Sequence, residues 1–130
     1  MDLNELKPVK ADEGSVMELR HPATEELIPG MTITLMGQDS ATYRNLQLAK
    51  QKAALERVSK GKAAIETNPA KLAEDTIEDL VKLTLGWTGF TLEGKELKPT
   101  PENIRKVYTE WQWIKEQAQE FISGRANFFR

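Results

Sequence analysis

The chain holds a single histidine, His21, with Glu18, Glu25 and Glu26 close by in sequence, and that group is its nearest approach to a metal site. One imidazole with carboxylates in a polar stretch lacks the His/Cys spacing that defines a zinc site, so no metal is expected. Ser15, Ser40, Ser59 and Ser123 would need a base to act as nucleophiles, and His21 can serve at most one of them. The carboxylate pairs Glu25-Glu26 and Glu74-Asp75 have no apolar neighbours of the kind that would raise a pKa for acid–base work. Glycines are scattered, and Gly61-Lys62-Ala63 lacks the remainder of a phosphate loop. The absence of cysteine rules out disulfides and thiol chemistry. Neither an enzyme nor a cofactor-binding protein is indicated.

Charge marks out two further surfaces. The net charge of −2 is unevenly spread, with a basic block over residues 41–64 lying between acidic blocks over 1–40 and 65–86. Arg44, Lys50, Lys52, Arg57, Lys60 and Lys62 give the middle block a cationic face, and Gln47 and Gln51 have side chains able to contact bases. A small nucleic-acid-binding regulator is therefore the alternative function. Against it stand the acidic pI of about 5.5, the acidic segment that follows, and the lack of aromatic residues among the basic ones. Complementary packing of neighbouring elements, or self-association, fits the pattern better.

The elements that position these residues make a mainly helical α+β fold. An N-terminal strand pair is followed by three helices, with a short hairpin-like link before the last. Residues 1–14 are polar and read as a flexible leader, and 15–130 as one domain. Ser15 to Arg20 is the first strand. After a loop of about ten residues comes Met31 to Met36, with Met31, Ile33 and Leu35 on one face. A long basic helix runs from about Ala41 to Lys62, capped by Asp39 or Ser40. Its apolar residues Tyr43, Leu46, Ala53, Ala54 and Val58 fall on one side, with Leu48 and Leu55 near the other. That leaves it either with a second contact surface or as a solvated helix carrying two stray leucines. Asn68 and Pro69 open the next helix, which should be deeply packed through Leu72, Ala73, Ile77, Leu80, Val81 and Leu83 and should stop at Gly86.

The last third holds all three tryptophans and all four phenylalanines. A tight turn at Glu93-Gly94 precedes a helix opened by Thr100 and Pro101 and stopped by Gly124. Ile104, Val107, Tyr108, Trp111, Ile114, Ala118, Phe121 and Ile122 recur at helical spacing. The expected core is thus Trp87, Ile104, Tyr108, Trp111, Ile114 and Phe121. Trp113 falls on the polar side between Gln112 and Lys115, as an interface anchor or tucked under a loop. Phe128 and Phe129 lie past the helix stop, folded back or turned toward a partner. Candidate partner-binding residues are Trp113, Leu48, Leu55, Phe128 and Phe129.

The ordered combination of Trp87-x-Gly89-Phe90, LEGKEL at 92–97, TPEN at 100–103, the Trp-rich helix and a closing RANFF at 125–129 resembles the C-terminal half of tail assembly chaperones of long-tailed bacteriophages. Upstream, HPAT at 21–24 and GQDSATYR at 37–44 are also similar to that group. The resemblance implies a non-enzymatic assembly factor in the host cytoplasm, absent from the mature virion. Such a factor binds the tape-measure protein, shields its hydrophobic surface and helps recruit tail-tube subunits. Self-association is compatible with this. No run of 18 apolar residues is present, so no transmembrane helix is expected.

Overall fold

The computed structural model describes residues 1–61 and 68–129. The expected end of the basic helix at Lys62, the cationic role of Lys62 and most of the break before Pro69 lie outside these residues. Mixed α/β architecture is as expected, with helix predominating.

β1 (Ser15–Arg20), β2 (Leu27–Leu35) and β3 (Thr84–Thr88) form an antiparallel sheet in the order β1-β2-β3. Met17, Ile33 and Trp87 lie in register across it and, with Leu19 and Leu35, make its buried face. Alternation along β1 leaves Val16 and Glu18 on the opposite, exposed face. The sheet departs from expectation in two ways. β2 begins at Leu27, so the connection is only residues 21–26. The third strand occupies the segment read as helix end and stop.

α2 (Ala41–Ser59) starts where Ser40 Oγ accepts the Tyr43 N–H at 3.1 Å. α3 (Pro69–Leu83) is capped by Asn68, whose Oδ1 accepts the Ala70 N–H at 3.0 Å. In α4 (Pro101–Glu110) Thr100 Oγ1 plays the same part for Asn103 N–H at 3.2 Å. Between α3 and α4, β4 (Thr91–Leu92) and β5 (Lys95–Glu96) form the expected hairpin. Glu93 and Gly94 both take positive φ there, as the tightest hairpin turns require. The Trp87 and Phe90 rings stack with centroids 4.4 Å apart, and Trp87 Nε1–H donates to the Leu97 carbonyl at 2.7 Å.

Three other expectations are corrected. The single aromatic helix is two, because Trp111 (φ −113°, ψ 81°) leaves the helical conformation and α5 (Gln112–Ser123) starts beyond it. The buried stripe therefore runs from Ile104, Val107 and Tyr108 directly to Ile114, Ala118 and Ile122, and Trp111 lies half-buried beside it. α3 is deeply packed only in its C-terminal half, at Leu80 and Leu83, while Leu72 is exposed. The leader is tied down at its end: α1 (Lys10–Glu13) buries Ala11, whose carbonyl accepts the Gly37 N–H at 2.9 Å. Asp12 Oδ1 accepts the Ala41 N–H at 2.8 Å, a second cap for α2.

Candidate protein-binding surfaces

Several of the polar groups singled out from the sequence hold local structure. His21 Nδ1 accepts the Ala23 N–H at 3.1 Å inside its turn. Ser15 Oγ donates to the Asn127 carbonyl at 2.7 Å, Ser59 Oγ to the Glu56 carbonyl at 2.8 Å, and Ser40 is a buried cap. Thr84 Oγ1 donates its only proton to the Leu80 carbonyl at 2.7 Å, so the Tyr108 hydroxyl, 2.7 Å away, donates to Thr84. Burial pushes the Tyr108 phenol up to about 12. No group of three or more His, Asp or Glu side chains among the described residues is placed to hold a metal ion. No helix there is long and apolar enough to cross a membrane.

Two surfaces stand out instead. The first is the outer side of α2. Over 19 residues this helix buries none completely. Tyr43 and Leu46 lean on the core, and Lys50 Nζ pairs with Asp79 of α3 at 2.5 Å. Those residues define the inner side. Roughly 160° around the helix, Arg44, Leu48, Lys52 and Leu55 form a stripe with Gln51 at its edge. Leu48 is 60% and Leu55 71% exposed. The polar sequence of α2 is what keeps it out of the core: between the two sides it has no continuous apolar band to bury. The Lys50–Asp79 pair shows the basic helix leaning on its acidic neighbour, as the charge blocks predict.

The second surface is an open concavity of about 810 Å³ between α5 and the β1 end of the sheet. Trp113, Phe121, Met17 and Pro22 supply its apolar lining, and Glu18, Glu25, Glu116 and Glu120 its charge. Arg20 is the one guanidinium among its lining residues, and its Nη1 donates to the Glu25 carbonyl at 3.1 Å. The floor is fixed by Gln117. Its Oε1 accepts the Arg20 N–H at 3.0 Å, and its Nε2 donates to the Arg20 carbonyl at 2.7 Å. A side-chain amide thus pairs with the free edge of β1 as another strand would. Trp113, Glu116, Gln117, Glu120 and Phe121 recur at spacings of three and one, so their shared face could be read from the helix alone. The contribution of β1 could not, since it depends on pairing across about a hundred residues.

Of the candidate partner-binding residues, Leu48 and Leu55 lie together on α2, and Trp113 lies apart from them, half-buried on the concavity wall. Phe128 is not a surface residue. It is 1% exposed, meets Phe121 edge-on at 5.4 Å and closes over Gly37, because the Arg125–Phe128 turn folds the terminus back. Arg125 anchors that turn through a two-pronged pair with Asp39 at 2.6 and 3.1 Å. Phe129 stays 37% exposed. Trp87, Ile104, Tyr108 and Ile114 are buried as expected, whereas Trp111 and Phe121 are half-buried. Compared with known protein families, curated proteins and solved structures, the chain matches none of them.

Proposed function

We propose that this chain is a tail assembly chaperone of a long-tailed bacteriophage. It acts in the host cytoplasm without catalysing a reaction and is left out of the finished virion. Its client is the tape-measure protein, whose hydrophobic surface it covers until tail-tube subunits take its place. Binding to the exposed state is sufficient for this, with no nucleotide required.

The observation that supports the reading most is the outer stripe of α2. A helix held to its domain by one side, with two leucines a heptad apart on the other, is suited to lie along a long amphipathic helix. The cations around those leucines would orient a partner rather than supply most of the affinity. The sequence resemblance over residues 87–130 supports the choice of client.

The test is co-expression with the tape-measure protein of the same phage. The wild-type chain should keep the client soluble and co-purify with it. Leu48→Asp/Leu55→Asp should retain the wild-type thermal midpoint, since both side chains are exposed, and weaken capture tenfold or more. Failure of the wild-type chain to bind the client would overturn the proposal. So would tight, salt-sensitive DNA binding lost on Lys52→Glu, because affinity for DNA is expected to be no stronger than about 10⁻⁴ M.

A further inference from the structure

The two surfaces are complementary to each other. Four carboxylates surround the Trp113 concavity against the single guanidinium of Arg20. On the outer side of α2, Arg44 and Lys52 flank the two leucines, and the helix itself carries one carboxylate, Glu56. The apolar lining of the concavity matches a stripe that carries Leu48 and Leu55, two turns or about 10 Å apart, with exposed Val58 one turn beyond at its edge. Within one chain the two lie apart, the stripe on the side of α2 turned away from α3 and the concavity between α5 and β1. We infer that the chain associates with itself head to tail: the outer stripe of α2 of one copy seats in the Trp113 concavity of the next.

Such a contact uses different surfaces on the two partners. It is therefore heterologous, and each copy keeps one free stripe and one free concavity until a ring closes. Leu48 or Leu55 would lie against the Trp113 ring, and Arg44 and Lys52 would reach Glu116, Glu120 and Glu18. In the absence of client this would cover the same leucines that the proposed function assigns to client binding, so client and second copy would compete. The inference rests on reading α2 as a protein-binding element and not on the identity of the client.

Purified chain alone tests it, by sedimentation velocity over a concentration series. The wild type should show an average mass that rises above 14.7 kDa with concentration and falls back as salt screens the carboxylates and cations. Leu48→Asp/Leu55→Asp and Glu116→Lys/Glu120→Lys, each checked for native circular dichroism, should both self-associate at least tenfold more weakly. The neutral pair Glu116→Gln/Glu120→Gln should lie between the wild type and the reversed pair. Mixed one to one, the two charge-bearing variants should form a complex that neither forms alone, because the mixture restores one intact stripe facing one intact concavity. A wild type that stays monomeric to about 1 mM would overturn the inference. Variants that associate like the wild type would do so too. A mixture that stays monomeric would show that the stripe and the concavity are not each other's partners. None of these results depends on a tape-measure protein, so failure here and failure of client capture are separately visible.

Discussion

Phe128 and Phe129 show how little residue type alone decides. Adjacent and chemically identical, one is 1% and the other 37% exposed. The Arg125–Phe128 turn, anchored by Asp39, aims only the first ring inward, against Phe121 and Gly37. Phe128→Ala should cost about 3–5 kcal/mol in denaturant titration, and Phe129→Ala about 0.5 kcal/mol or less. A side chain at Gly37 would meet the same ring. A Cβ there would lie 2.9 Å from Phe128 Cγ, inside any contact that carbon atoms tolerate. Gly37→Ala should therefore destabilise by about 1–3 kcal/mol by the same measurement, as overpacking of a full core does. The sequence shows an aromatic pair beyond a helix stop and cannot show which ring enters, because that is set by a salt bridge spanning 86 residues.

At the scale of elements, what is local was legible and what is long-range was not. Ser40, Asn68 and Thr100 cap helices as read, because a cap is a contact between residues two or three apart. The Glu93-Gly94 turn was legible for the same reason. β3 was missed because Thr84–Thr88 directly follows α3, and only pairing with β2 makes it a strand. The break at Trp111 was missed because the apolar period continues across it, and no Pro or Gly marks it. Of the candidate site, the α2 leucines and the α5 face were readable, while the β1 wall was not. β3 and α4 are joined by the buried Tyr108–Thr84 hydrogen bond, which has a measurable consequence. The phenol's ordinary value of 10.0 rises to about 12 in the folded chain. Between those values the unfolded chain releases a proton that the folded chain keeps. Stability from this group is thus complete below pH 10 and declines as pH rises toward 12, by about 2–3 kcal/mol in all. Tyr108→Phe should lose about 1 kcal/mol at neutral pH with the hydrogen bond, and should show a shallower alkaline decline than the wild type. Parallel alkaline curves for the two proteins would mean that Tyr108 does not carry this effect.

The whole molecule divides into a well-buttressed part and a lightly held one. The sheet and α4–α5 share one core, whose centre is Leu19, Ile33, Leu35, Val107 and Tyr108, all 2% exposed or less. α2 stands outside it. Its start is fixed by two caps and by Tyr43 and Leu46; farther along, the Lys50–Asp79 pair and partly covered Ala54 and Arg57 face the rest of the chain, and no residue of 51–59 is buried. A single ion pair of this exposure contributes about 1 kcal/mol or less, and an isolated helix of this length is marginal in water. Local opening of residues 51–59 should therefore cost far less than global unfolding. Hydrogen exchange followed by mass spectrometry should find these amides exchanging at least a hundredfold faster than those of β2 and α5 in dilute protein. Concentration then separates a merely solvated helix from one that awaits a partner. If the stripe seats on a second copy, protection over 48–59 should rise with protein concentration, together with protection over 113–121 and 16–20, and nowhere else. The Glu116→Lys/Glu120→Lys chain should show no such rise. Uniform exchange across the concentration range in the wild type would mean that α2 meets no second copy, and would leave its leucines to the client alone.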